Sequence, residues 1–329
     1  MAGTAFVTGG SGFIGSRLIA RLRSGGRAVR ALARSDRSAA TVEALGAEPV
    51  RGELGDVDSM REGARGCEAA FHLAARLGDW GPWEEFERDN VAGTRNALAA
   101  CESAGVRRFV HCGTEAALMA GQPLINVDET APLRPDSKAP YSATKARAEM
   151  AVRAACREGF DTVVVRPRFV WGAGDTTLLP RMVEMARKGH FAWLGGGGNL
   201  TATTHVANVV EGLLLGAERG RAGEAYFVTD GEPVVFREFV TSLLATQGIE
   251  APDRNLPGSL AGPLALASEA AWRLLPLPGA PPITRFAAWM LTQECTIDIA
   301  KAREELSYEP VVTREEGLAE LREAGPVAA

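Results

Sequence analysis

The segment "TAFVTGGSGFIG", residues 4–15, decides the fold of this chain. Residues 4–8 form a short apolar run of strand character, and a helix-like pattern starts at Gly12 and continues to residue 23. Between them Gly9, Gly12 and Gly15 recur at every third position. A glycine trio alone marks only a tight turn. Set between a strand and a helix, it lets the backbone approach a pyrophosphate closely and aims the helix N-terminal N–H groups at it. Phe13 and Ile14, inside the same turn, are assigned to that cofactor-binding loop with the three glycines.

The pattern repeats outward. Strand-like runs occupy 28–33, 47–52, 68–74, 108–112 and 162–167, and helix-like segments occupy 38–45, 57–65, 84–103 and 141–158. Strand and helix in alternation imply an α/β protein whose parallel sheet is covered on both faces, with right-handed crossovers: a doubly wound Rossmann sheet. After about residue 168 glycine and proline become frequent. The reading is therefore a dinucleotide-binding domain over 1–170 and a smaller C-terminal substrate lobe over 171–329. Residues 206–230 are expected to return to the first domain through the strand-like "EAYFVTD" (224–230).

Composition narrows the function. The 329 residues carry a net charge of −5, with 46% hydrophobic and 23% charged residues, as in a globular protein. No basic block or stripe suits nucleic acid. The five scattered cysteines suggest reduced thiols in a cytoplasmic protein, and the start of the chain does not read as a signal peptide. The apolar stretch 260–282 is broken by Glu269, Arg273 and several prolines, so no stable membrane span is expected. His72, His111, His190 and His205 show no close pairing, so no metal site is expected.

The tip of the second strand selects the dinucleotide. An acidic residue there holds the ribose 2′-OH of NAD, whereas an arginine there accommodates a 2′-phosphate. The strand ends at Ala33 and is followed by Arg34, Ser35, Asp36 and Arg37. Arg34, with Arg37 beside it, favours NADP(H); NAD(H) stays open because Asp36 lies within reach of the ribose.

In "PYSATK" (140–145), Tyr141 and Lys145 stand four residues apart, on one face of a helix. Spacing alone does not separate a proton-transfer pair from a solvated one. Hydride transfer to a ketone develops charge on oxygen, which a tyrosine can protonate and a neighbouring lysine cation can tune. Thr114, just past the strand 108–112, can hold the same oxygen in line. Glu115 beside it is left outside the catalytic set.

These segments, together with "HLAA" (72–75) and "DNVAGT" (89–94), resemble the extended short-chain dehydrogenase/reductases. The later segments "RPRFVWG" (166–172), "GAPPITRF" (279–286) and "AREELSYEPVVTREEGL" (302–318) look most like the branch of the 3β-hydroxysteroid dehydrogenases, the sterol-4α-carboxylate 3-dehydrogenases and the 2-alkyl-3-oxoalkanoate reductases. The resemblance implies Tyr141 as general acid or base, Lys145 on the nicotinamide ribose and Thr114 as the carbonyl-positioning hydroxyl. It also implies Glu53 and Leu54 at the adenine, Ala74 and Ala75 along the cofactor cleft, and Pro167 and Phe169 over the nicotinamide. Asn90 takes a structural or water-mediated role, and a homodimer through two helices fits the family.

Sugar-nucleotide epimerases and dehydratases share the fold and are the rival reading; a non-catalytic dinucleotide-sensing regulator is the third. The resemblance puts an arginine for a sugar-nucleotide diphosphate where this chain has Thr201. The apolar character of 256–291 further favours a lipophilic substrate of steroid-like or long-chain 3-oxo/3-hydroxy type. A sensor would not need the Thr114, Tyr141 and Lys145 set.

Overall fold

The computed structural model describes residues 3–275 and 277–327. Seven parallel strands form the central sheet: β1 (Thr4–Thr8), β2 (Val29–Ala33), β3 (Glu48–Arg51), β4 (Cys67–His72), β5 (Arg108–Cys112), β6 (Asp161–Pro167) and β7 (Ala225–Val228). Their spatial order is β7-β6-β5-β4-β1-β2-β3. The order reverses beside β1, which pairs with β2 on one side and β4 on the other. That reversal opens a crevice at the carboxyl ends of the strands, where open α/β sheets bind ligands. The strands are buried on both faces, as the near-continuous apolar runs of β1, β5 and β6 require.

The rest of the chain builds smaller sheets. Leu124–Val127, Cys295–Ile297, Leu200–Thr201 and Val234–Val235 form a four-stranded sheet that joins a segment of the first half to the second lobe. Two further strand pairs are Val170–Trp171 with Thr204–His205, and Trp193–Leu194 with Asn255–Leu256. These strands are mostly two residues long, too short to carry an alternating pattern.

Two local features depart from the regular reading. The helix expected over 84–103 contains a π-helical turn at Glu87–Ala92, between Trp83–Phe86 and Gly93–Ser103. The buried Asn90 side chain sits in this turn. It accepts from the Arg76 amide at 2.7 Å, donates to the Arg76 carbonyl at 3.3 Å and donates to the Thr144 hydroxyl at 3.1 Å. Such turns aim side chains that a regular helix would misdirect. Secondly, the leucines of the helix Ala261–Leu274 point outward: Leu264, Leu266 and Leu274 are exposed, and the buried residues are Ala261, Ala265 and Glu269. Small alanines let this helix pack closely on Ala288 of the helix Arg285–Thr292. The apolar stretch thus does not wall the central cleft; its neighbour Arg285–Thr292 does.

Candidate active site

A cleft of about 1030 Å³ runs across the carboxyl ends of the strands. This is at the upper end of the ~300–1,000 Å³ common for one small ligand, so two molecules can lie end to end. Its lining begins at the glycine loop. Gly9, Gly12, Phe13, Ile14 and Gly15 all line it, followed by Arg34, Glu53, Leu54, Ala74 and Ala75, and then by Thr114, Tyr141, Lys145, Pro167 and Phe169. Arg37 does not line it. It is the second residue of the helix Asp36–Ala44, whose start is fixed by a capping box between Ser35 and Ser38, and the helix carries it into solvent. Asp36, the carboxylate that left NAD(H) open, pairs with Arg51 at 2.7 Å.

The loop fits a dinucleotide phosphate. Gly9 has φ +74°, and a side chain there would run into the Ala74 backbone at 2.6 Å. The helix Phe13–Ser24 starts with no side-chain cap and no acidic residue in its first turn among the described residues, so its N–H groups and positive dipole end face the cleft.

Thr114, Tyr141 and Lys145 converge at the other end. The buried Lys145 ammonium donates to the Cys112 carbonyl at 2.8 Å and lies 3.3 Å from His111 Nε2. Burial lowers its pKa. The Tyr141 hydroxyl is shifted upward, first by burial, then by the Glu115 carboxylate and Cys112, while a hydrogen bond with Thr114 opposes the shift. The cleft without ligands therefore holds a neutral tyrosine, a proton donor; the lowering expected from Lys145 is absent from its environment. The Tyr141 ring meets Phe286 edge-on with centroids 5.6 Å apart.

The histidines nearby are structural. His72 Nδ1 lies 2.7 Å from the Thr8 hydroxyl, and Nε2 lies 3.0 Å from Thr94. Thr94 gives its own proton to the Asn90 carbonyl at 2.6 Å, so Nε2 carries the ring proton. Burial lowers the His72 pKa to about 3 and that of His111 well below its usual value. His205 caps the helix Val206–Arg219 through the Ala207 amide. No cluster of three metal-ligating side chains exists among the described residues.

The structure adds residues that the sequence reading left out. Val170, Thr177, Leu178, Phe286 and Met290 form the outer wall beyond Tyr141. They come from three separate segments. Phe286 lies in a segment already singled out by resemblance; nothing local marks Met290. Glu115, set aside above, is buried beneath the cleft and pairs with Arg168 at 2.6 Å. Arg168 Nε also donates to Thr201 at 3.1 Å. A guanidinium thus does reach the position where an arginine was missed, but from another segment and already neutralised.

Comparison with known proteins agrees with this geometry. The description of a 3-beta hydroxysteroid dehydrogenase/isomerase family matches residues 6–258. A 4-hydroxy-2-methyl-3-oxo-4-farnesyl-3,4-dihydroquinoline-1-oxide ketoreductase of Stigmatella aurantiaca is 49% identical, over 98% of this chain and 96% of that protein. A 2-alkyl-3-oxoalkanoate reductase of Stenotrophomonas maltophilia is 38% identical, over 96% of this chain and 97% of the relative. Among solved structures, a dTDP-glucose 4,6-dehydratase of Streptomyces venezuelae with bound NAD superposes with a TM-score of 0.76 at 25% identity, covering 97% of this chain and 96% of that one.

Proposed function

The chain belongs to the 3-beta hydroxysteroid dehydrogenase/isomerase family, and from that premise we propose that it is an NADP(H)-dependent reductase of a lipophilic ketone, interconverting it with its secondary alcohol. The observation that carries this reading is the continuity of the cleft. The glycine loop, the Thr114, Tyr141 and Lys145 group and an apolar wall of Phe169, Val170, Leu178, Phe286 and Met290 line one space in that order. The relatives named above, a ketoreductase of a farnesylated ring and a reductase of 2-alkyl-3-oxoalkanoates, support a lipophilic substrate.

When bound, the nicotinamide supplies or accepts the hydride. The protein does the rest. The loop glycines and the open helix end hold the diphosphate, and Arg34 meets a 2′-phosphate at the rim. Tyr141, neutral and buried, gives its proton to the ketone oxygen as the hydride reaches the carbonyl carbon, leaving an alcohol and a tyrosinate that solvent reprotonates. Lys145, held by the Cys112 carbonyl, keeps a cation one helical turn away. The pairing of Arg168 with Glu115 and Thr201 weighs against a sugar-nucleotide substrate, whose diphosphate needs an uncommitted cation.

The test follows nicotinamide absorbance with NADPH and NADH against hydroxysteroids, 3-oxo fatty acyl compounds and simple ketones, with UDP- and dTDP-sugars assayed separately for epimerisation. Turnover confined to the sugars refutes the reading. Tyr141→Phe should lower turnover by roughly 10²–10⁴-fold, the usual share of general acid catalysis, and leave NADPH affinity unchanged. Arg34→Asp should reverse the coenzyme preference; a wild type that prefers NADH removes the NADP(H) assignment.

A further inference from the structure

The pair of Glu115 and Arg168 stands directly beneath the reacting end of the cleft and has no task in the mechanism above. Glu115 is 2% exposed and Arg168 1%. Burying two charges is costly, and one partner without the other costs more, so both must be held by good geometry. They are. Arg168 donates to Glu115 Oε1 at 2.6 Å and to the Thr201 hydroxyl at 3.1 Å, and its amide donates to Thr204 at 3.1 Å. The other oxygen, Glu115 Oε2, accepts the hydroxyl proton of Thr114 at 2.8 Å.

This last bond changes what Thr114 can do. A hydroxyl has one proton and two lone pairs. Here the proton is committed to Glu115, and one lone pair accepts from the Ala116 amide at 3.2 Å. What Thr114 offers the cleft is a lone pair. A ketone oxygen also has only lone pairs, so the two cannot bond. The Tyr141 hydroxyl can, and its side chain does hydrogen-bond Thr114.

Resting on the reductase reading, we propose that Glu115, clamped by Arg168, is a positioning residue. It takes the Thr114 proton, turns Thr114 into an acceptor that orients the Tyr141 hydroxyl, and leaves Tyr141 as the one proton donor to the ketone. The proton passes from Tyr141 to the substrate oxygen when hydride arrives at carbon, and the resulting tyrosinate hydrogen-bonds nothing on Thr114 until it is reprotonated. The fixed carboxylate opposes that tyrosinate and so keeps the donor loaded. The groups around Tyr141 are Glu115 and Thr114 from the segment after β5, Cys112 from β5, Lys145 from its own helix and the uncharged Phe286 from the second lobe; Arg168 acts through Glu115.

The experiment compares the pH dependence of NADPH-driven reduction of an uncharged ketone, such as an alkyl ester of a 3-oxoalkanoate, in wild type, Glu115→Gln and the double variant Glu115→Leu/Arg168→Met. The double variant removes both charges together and keeps the core filled if the single one fails to fold. Reduction needs protonated Tyr141, so it fails on the alkaline side. In the folded variants that alkaline limb should move to lower pH by about one unit, the effect of losing one nearby buried charge. The rising limb of alcohol oxidation should move the same way. KM for the ketone should change little. Limbs that stay at the wild-type pH in a folded variant overturn the assignment. A wild type that reduces no ketone in the panel defeats the reductase reading instead, and this assignment with it.

Discussion

Gly15→Ala isolates the part of the fold on which cofactor binding rests. A Cβ built at Gly15 lies 2.1 Å from the Gly9 carbonyl oxygen, 2.8 Å from Gly10 Cα and 2.9 Å from the Gly9 carbonyl carbon. All three are backbone atoms of the loop, so no rotamer change relieves the clash. Non-bonded heavy atoms settle near ~3.5 Å, so the Gly9 peptide must withdraw by more than about 1 Å. That peptide is held by the Gly12 amide, which donates to its carbonyl at 3.1 Å. The displaced loop no longer matches a diphosphate lying along the helix end. Hydrogen bonds to a charged group contribute ~1.5–3 kcal/mol each, so losing two raises the NADPH Kd by roughly 10²–10⁴-fold. The assay is titration of NADPH fluorescence, with thermal melting of the unliganded protein alongside. Gly26→Ala is the control. Gly26 has φ +76° with no atom within 4 Å of its built Cβ, so it should cost about 1 kcal/mol of stability through backbone strain alone. It should leave the Kd unchanged. A folded Gly15→Ala protein whose Kd stays within about threefold of wild type refutes the loop's assignment, because such a change is under 1 kcal/mol.

Two further outcomes concern stability. The pair of Arg166 and Glu149, 0% and 1% exposed at the side chain, spans β6 and the helix Pro140–Ala154 that carries Tyr141. Glu149→Ala strands a buried guanidinium and should lower the unfolding free energy by ~3–5 kcal/mol, whereas Glu149→Leu with Arg166→Met should be close to neutral; urea unfolding distinguishes them, and equal losses in both refute the charge argument. The second outcome is acid sensitivity. His72, with its pKa lowered to about 3, and His111, also lowered by burial, are neutral in the folded protein. Unfolding returns them to ~6.5, so the unfolded state binds more protons as pH falls below that value. Their contribution is complete above ~6.5 and is lost as pH falls towards 3, with a slope approaching ~1.4 kcal/mol per pH unit for each histidine. Unfolding measured across that range should show a steeper loss in wild type than in His72→Asn; equal slopes defeat the account.

The central sheet was legible because its strands carry their own signal. β1, β5 and β6 are apolar runs bounded by turns, and the glycine trio stands between β1 and its helix. The cleft lining was legible to the extent that it lies at strand ends. Arg37 shows the limit: beside Arg34 in sequence, it is turned away by a helix that starts one residue earlier. The outer wall was not legible, since Phe286 and Met290 reach Tyr141 only through the packing of the second lobe. The leucines of 260–275 misled in the opposite sense, because apolar composition does not tell which face of a helix is covered. Glu115 was visible but ambiguous. A glutamate after a strand is usually solvated, and only the arrival of Arg168 makes its burial tolerable.

The segment Pro167–Trp171 ties these observations together. It leaves β6 at Pro167, sends Arg168 back under the cleft to Glu115, and then places Phe169 at φ +42°. A bulky residue in the left-handed region is strained, and such strain persists only where the surroundings enforce it. Here they do: the Phe169 ring meets Phe236 at 6.0 Å and Phe239 at 5.9 Å, both from the helix Phe236–Ala245 of the second lobe, while Val170–Trp171 pairs with Thr204–His205. The same five residues therefore line the cleft, seat the second lobe and deliver the guanidinium that fixes Glu115. A change in how the second lobe packs reaches the Thr114 hydroxyl through two contacts, Arg168 to Glu115 and Glu115 to Thr114. Substrate seated against Phe286 and Met290, on that lobe, is thus mechanically linked to the orientation of the proton donor it meets.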